Sequence, residues 1–386
     1  MNCQLKDLGE IITGNTPSKK ENSYYETKDI PFIKPDVLAD NELIIKTPSD
    51  YLSEKARNKA RIVNKGSILV TCIGSIGKIG VCQGECAFNQ QINTIVPNDK
   101  VRSDYLAYNL IYNKQRLIDI ANCSVVPIIN KKQFSEFSIK VDLNKETQQK
   151  IVAKLDNLNL AIDKCKSLLE LHDELIKSKF YEMFGDPVNN TKNFTIELFD
   201  KFINFMTSGS RGWAKYVNEN GSEWFITIKN VKDGKISLEN MQSINAPDNV
   251  EAKRTKVQKD DLLISITADL GRTGIVTDEI ANHGAYINQH LVCIRYDRTV
   301  LNPVFIAYYL QSPAGRIQFE SKNQNTVKAG LNFNAIKELK IMLPPLQLQT
   351  QFAQYVETVE SSKTKIKELQ SRIEYLKASY MQEFFA

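Results

Sequence analysis

The strongest constraint on this chain is a run of ten positions between Ile151 and Met183. Stepping alternately four and three residues, they read Ile151, Leu155, Leu158, Ile162, Cys165, Leu169, His172, Ile176, Lys179 and Met183, and eight of them are apolar. That spacing is the seam of a coiled coil. Gln149, Lys154, Asp163, Lys166, Asp173 and Lys177 lie on the other faces, and no glycine or proline interrupts the run before Gly185 and Pro187. The pattern predicts one helix over Glu146 to Phe184, ~60 Å long at ~1.5 Å per residue. A seam this narrow cannot bury itself, so a second helix must cover it. His172 on the seam reads as a packed or register-setting polar residue rather than a ligand.

The chain carries its own second helix. Displaced by 201 positions, the same template reads Phe352, Val356, Val359, Lys363, Ile366, Gln370, Ile373, Lys377, Tyr380 and Phe384, with Leu369 and Leu376 beside it as Leu168 and Leu175 are beside the first. The match is looser but the register is the same, and it ends a longer internal repeat.

Ahead of the first helix, residues 1 to 143 alternate short β-rich runs with turn signals. Ile30 to Pro35 reads as a strand stopped by proline, and Gly66 to Ile73 as a branched, apolar strand. The latter runs into Gly74-Ser75-Ile76-Gly77-Lys78-Ile79-Gly80, a turn leading to a strand around Val81, and Tyr105 to Asn113 has the spacing of a short helix. After Asp186-Pro187 the order returns. Gly14-Asn15-Thr16-Pro17 faces Gly209-Ser210-Arg211-Gly212, Phe32 to Lys34 faces Phe225 to Lys229, and Ile68 to Cys72 faces Leu262 to Ile266. Gly77, Lys78 and Gly80 fall on Gly271, Arg272 and Gly274, and Asn89-Gln90-Gln91 falls on Asn288-Gln289-His290. The chain is therefore globule, long helix, globule, long helix.

Composition narrows the function by exclusion. No run reaches transmembrane length and no charged-then-apolar leader follows Met1, which predicts a cytoplasmic protein. Seven scattered cysteines argue against a disulfide framework. Cys82-x-x-x-Cys86 offers half of a metal site, but the only histidines are His172, His283 and His290, and no second cysteine pair exists, so no metal is expected. The glycines Gly74, Gly77 and Gly80 are evenly spaced, which fits neither a phosphate loop nor a dinucleotide fingerprint. A turn in which glycine relieves backbone strain is the better reading. Pro247-Asp248 with Glu251-x-Lys253 leaves no room for the two strands of a nuclease metal site. Pro344-Pro345 lacks the polar and aromatic neighbours of an amino-methyltransferase loop. No catalytic motif remains, and no cofactor of the chain's own is expected. The net charge of +5 permits a polyanionic partner without requiring one.

The duplicated order, the Gly14-x-Thr16-Pro17-Ser18 turn, the Gly66 to Val70 strand with its Gly-x-Ile-Gly turn, Asn89-Gln90 and the Gln148-x-x-Ile151-Val152 helix start together resemble the specificity subunit of type I restriction-modification enzymes. The resemblance covers essentially the whole chain. It departs at Leu143-Asn144-Lys145-Glu146, which stands where Pro-Pro usually leads into the helix, as Pro344-Pro345 does in the second half. What the resemblance implies is an α+β fold with a pseudo-twofold internal repeat, in which two long antiparallel coiled-coil helices separate two tandem target recognition domains. The domains are expected at 1–143 and 187–344, the spacer helices at 144–186 and 345–386. The chain would read a two-part asymmetric sequence in double-stranded DNA and dock two methyltransferase subunits that use S-adenosylmethionine. These would recruit restriction subunits that use ATP and Mg. A non-catalytic adaptor, or an antagonist of such a complex, is the other reading.

Repeat position and residue type then place the DNA contacts on polar turns. In the first half these are Thr16, Ser18, Lys19, Lys20, Lys34, Ser75, Lys78, Asn89 and Gln90. In the second they are Ser210, Arg211, Trp213, Lys215, Lys229, Arg272, Asn288 and Gln289. Since Ser210-Arg211-Gly212-Trp213 stands where the first half has Asn15-Thr16-Pro17-Ser18, the halves should read different sequences.

Overall fold

The computed structural model describes residues 1–40, 43–121, 126–322 and 330–386. Contacts divide the chain into two units, one of Met1–Ser167 with Lys367–Ala386, the other of Leu168–Ile366. Among the described residues no helix is long and apolar enough to cross a membrane.

In the first unit a four-stranded antiparallel sheet has the order Gly9–Thr13, Ile92–Pro97, Ile68–Thr71, Ile79–Val81. A second sheet has the order Tyr51–Leu52, Ile30–Ile33, Cys86–Phe88, Ile62–Val63, with Ile30–Ile33 and Cys86–Phe88 parallel. Ile68–Thr71 is buried at every residue, which is why that stretch reads as a continuous apolar run rather than an alternation. Asn2–Gln4 pairs with Ser138–Lys140 and so ties the start of the globule to its end. Lys140 Nζ also donates to the Ala386 carbonyl at 2.6 Å, which brings the last residue beside the first strand.

The second unit repeats this plan. Its antiparallel sheet has the order Ile203–Ser208, Leu291–Tyr296, Leu262–Ser265, Thr273–Ile275. The second sheet keeps a parallel pair, Glu223–Ile226 with Ala285–Ile287. Thr195–Leu198 pairs with Lys340–Leu343 as the closing ribbon.

The helices span Lys145–Phe184 and Leu346–Phe385. Without a proline at its start, the first helix is capped by the Asn144 carboxamide oxygen, which accepts from the amides of Glu146 and Thr147 at 2.9 and 3.1 Å. It ends at Gly185, whose φ of +73° suits glycine, and Lys192 Nζ donates to the orphan carbonyls of Glu182 and Met183. In the first unit Lys154 stands over the rings of Tyr380 and Phe384, and Ile151, Val152 and Leu155 share a core with Met381 and Phe385. In the second, His172 Nε2 meets Ser362 Oγ at 3.1 Å, Asp173 pairs with Lys363, and the Phe180 and Phe352 rings lie 5.4 Å apart. As the number rises along one helix it falls along the other, so the two run antiparallel. The polar seam position His172 is satisfied across the seam, and Lys363, only 9% exposed, has its carboxylate partner there.

A matched pair of glutamines locks each globule to a helix start. Gln148 is fully buried. Its Oε1 accepts from the Arg102 amide at 2.8 Å, and its Nε2 donates to the carbonyls of Lys100 and Asp142. Gln349, also fully buried, accepts from the Asn302 amide at 2.8 Å and donates to the carbonyls of Val300 and Pro344.

Candidate nucleic-acid interface

Three loops meet in the first unit because glycine lets them. Gly14 follows strand Gly9–Thr13, and a Cβ there would lie 2.1 Å from the Asn89 carbonyl oxygen. The Gly14 amide donates to the Ile92 carbonyl and the Asn89 amide to the Ile33 carbonyl, each at 3.1 Å. The Asn89 carboxamide oxygen accepts from the Gln91 amide, closing the turn on itself. The Cys72 amide donates to the Gln91 carbonyl, which draws in the tip after Ile68–Thr71.

The second unit makes the same bonds from other residues. A Cβ on Gly209 would lie 2.1 Å from the Ile287 carbonyl oxygen. The Asn288 amide donates to the Ile226 carbonyl, the Asn288 carboxamide accepts from the His290 amide, and the Ile266 amide donates to the His290 carbonyl. The tips match as well. Thr71 Oγ1 accepts from the Lys78 amide and Ser265 Oγ from the Arg272 amide, around Gly77 at φ +80° and Gly271 at φ +74°. Where Gly74 sits at φ +76°, the second tip places Ala268 at φ +58°.

The residues singled out from sequence sit in different settings. Thr16 donates its hydroxyl to Gln90 Oε1 at 2.7 Å, so those two stand together beside Asn89, and Ser210 bridges Asn288 next to Gln289. Ser18, Lys19, Lys20, Ser75, Gln90, Arg211, Lys215 and Lys229 are exposed. Asn89 is buried, with its side chain spent within its own turn, and Lys34 is held by Asp50 at 2.6 Å. That ammonium keeps the Asp50 carboxyl below the ordinary carboxylate range. Lys78 and Arg272 each act on a carboxylate. Lys78 helps Lys114 hold Asp40 ionised, and Arg272 bonds Asp269.

Trp213 is a correction. It is 1% exposed, stacked on Phe225 and packed against Tyr216 and Tyr286, so it anchors the loop from below and presents no ring to a ligand.

Two basic edges escape the sequence reading. Arg57, Arg61 and Lys131 line a cleft of about 720 Å³ with Glu10, Thr13, Asn64 and Glu85, where the Arg57 guanidinium is held by Glu54 and Glu85, and in the second unit Arg254 donates to Thr207 Oγ1 and to the Ser208 carbonyl. The alternation Lys55, Arg57, Lys59, Arg61 and the cluster Lys253, Arg254, Lys256 are the signals that could have found them. Among the described residues no group of three or more His, Cys, Asp or Glu could hold a metal ion. What the two turns can do chemically is donate and accept hydrogen bonds from a bonded backbone frame beside exposed ammonium groups.

The frame also makes a stability prediction. Gly209→Ala should destabilise the second unit by about 2 kcal/mol, because the methyl meets backbone that cannot give way. Gly212→Ala, which meets open space, should stay within ~0.5 kcal/mol. Denaturation midpoints of the two variants check this.

Compared with known proteins, residues 1–172 and 209–375 match the family described as the type I restriction modification DNA specificity domain. Over 218 residues the chain is 32% identical to the type I restriction enzyme MjaIX specificity subunit of Methanocaldococcus jannaschii, covering 54% of this chain and 48% of that protein. Over 183 residues it is 33% identical to the HindI specificity subunit of Haemophilus influenzae, covering 45% and 39%. Over 377 residues it is 22% identical to the StySPI specificity subunit of Salmonella potsdam, covering 92% and 76%. The first two alignments thus span about half or less of those relatives' own length. Among solved structures, the S subunit of a type I restriction-modification system from M. genitalium superposes with a TM-score of 0.58 at 15% identity, covering 100% of this chain and 96% of that one. A chain from work on complex assembly and conformational transition of the type I R-M system gives 0.60 at 14% identity, covering 99% and 96%. At these identities the likeness is one of fold.

Proposed function

Since the chain belongs to the type I restriction modification DNA specificity family, we propose that it is the non-catalytic subunit that reads DNA sequence for such a complex. Residues 1–143 and 187–344 act as target recognition domains, and 144–186 and 345–386 as the spacers between them. Each domain reads one short half of a bipartite, asymmetric target in double-stranded DNA. The observation that carries this reading is the duplicated turn frame, in which equivalent backbone bonds present Asn15-Thr16-Pro17-Ser18 and Gln90 in one unit and Ser210-Arg211-Gly212 and Gln289 in the other. One scaffold carrying two sets of donors and acceptors suits two different half-sequences.

The partners on this reading are two methyltransferase subunits, which bring S-adenosylmethionine, and restriction subunits reached through them, which bring ATP and Mg. The chain itself binds no cofactor and works in the cytoplasm. Exposed leucines on the helices, Leu168, Leu171 and Leu175 in one and Leu369 and Leu376 in the other, are surfaces for such docking.

Two measurements test it. The purified chain should bind duplex DNA with an affinity that falls steeply with salt, and should methylate nothing until a methyltransferase subunit and S-adenosylmethionine are added. Binding without a salt slope would favour the adaptor reading, and methyl transfer by the chain alone would overturn the assignment. Lys19→Ala with Lys20→Ala should weaken binding on all sequences and shrink the salt slope by ~1 for each phosphate no longer neutralised. Unchanged binding and slope would move the phosphate track to the edge that carries Arg61 and Lys131.

A further inference from the structure

The Cys82/Cys86 pair, too small a set for a metal, has a geometry of its own. Cys82 follows strand Ile79–Val81, and Cys86 opens strand Cys86–Phe88. Across the Gln83-Gly84-Glu85 turn their sulfurs lie 2.9 Å apart, and both side chains are buried among Ile33, Val63, Leu69 and Phe88. A disulfide bond is ~2.05 Å, so closing the gap needs a shift of less than about 1 Å.

Packing alone does not call for thiols here. In the second unit Val276 takes the place of Cys82: its amide donates to the Asp261 carbonyl as the Cys82 amide does to that of Ser67. Ala285, one residue before Tyr286 in the parallel pair, takes the place of Cys86. The same fold therefore closes over a small apolar pair, and the dithiol belongs to the first repeat only.

We propose that Cys82 and Cys86 are an oxidisable dithiol, which a small disulfide oxidant converts reversibly into an intramolecular disulfide across the Gln83–Glu85 turn. One cysteine thiolate attacks a sulfur of the oxidant R–S–S–R and expels one R–S⁻, leaving a mixed disulfide on the protein. The second thiol loses its proton, attacks the protein sulfur of that mixed disulfide and expels the other R–S⁻. Two electrons pass to the oxidant, and two R–SH are released per protein disulfide. The facing Cys82 thiol and burial push the Cys86 thiol up, so the first step waits for the turn to open. The second step is intramolecular between facing sulfurs, and the mixed disulfide does not accumulate.

The test is incubation of the full chain with oxidised glutathione, alkylation of the remaining thiols and mass analysis of the tryptic peptide Ile79–Lys100, which holds both cysteines. The expected result is a peptide lighter by two hydrogens, unalkylated, and restored by dithiothreitol. Cys82→Val should instead trap glutathione on Cys86. Cys82→Val with Cys86→Ala, which borrows the residues of the second repeat, should fold and show neither product. A peptide carrying glutathione on the native pair, a bond to another cysteine, or a pair that stays reduced in the folded chain while the urea-unfolded chain oxidises would each overturn the proposal.

Discussion

Four residues inserted after Leu160 are expected to lengthen the preferred gap between the two half-sequences by one or two base pairs, leaving both halves unchanged. The insertion adds ~6 Å of helix and about 40° of excess rotation at ~3.6 residues per turn. One base pair of B-DNA is worth ~3.4 Å, since ten span about 34 Å. Leu160 lies within the uninterrupted helix Lys145–Phe184 and is 53% exposed, so the added turn starts on an open face. The partner helix and the duplex must both adapt, so only part of the added length reaches the gap. Duplexes carrying the same halves at different spacings measure this directly. An insertion variant that still prefers the original spacing would show that the helices are not the ruler.

The largest stability effect should come from Gln349→Ala. Truncation leaves the Asn302 amide and the carbonyls of Val300 and Pro344 without their partner in a fully buried site. Each orphaned buried group costs ~1–3 kcal/mol, though the costs do not simply add, so the loss should be about 3–5 kcal/mol. Gln148→Ala should cost the first unit a similar amount through Arg102, Lys100 and Asp142. Urea denaturation gives the values. A loss below ~1 kcal/mol would mean that water replaces the carboxamide and that the glutamines do not lock the helix starts.

The fold was legible where one chemical signal repeats locally. The seam from Ile151 to Met183, the buried run Ile68–Thr71 and the glycines at Gly77 and Gly271 each follow from short-range physics, and the duplication let each half check the other. The sheet order was not legible. The parallel pairing of Ile30–Ile33 with Cys86–Phe88 joins residues more than fifty apart, and no local pattern records it. Trp213 shows the same limit at the candidate interface. In a polar turn a lone tryptophan reads as exposed, but Phe225 and Tyr286 arrive from distant strands and bury it. Conversely, no local pattern places Arg57 and Arg61 in a cleft, which they line only because Thr13 and Lys131 come to it from elsewhere in the chain. Gln148 reads from sequence only as part of a helix start, because its value, like that of Gln349, lies in three backbone groups that the sequence does not place.

The central proposal is that this chain selects a bipartite DNA target for a methyltransferase. The most direct test is to express it with its methyltransferase partner in a host lacking that modification and map every methylated base. The account predicts one motif made of two different short sequences at a fixed spacing, abolished when the chain is omitted. A contiguous motif, two halves at variable spacing, or the same methylation without the chain would contradict it.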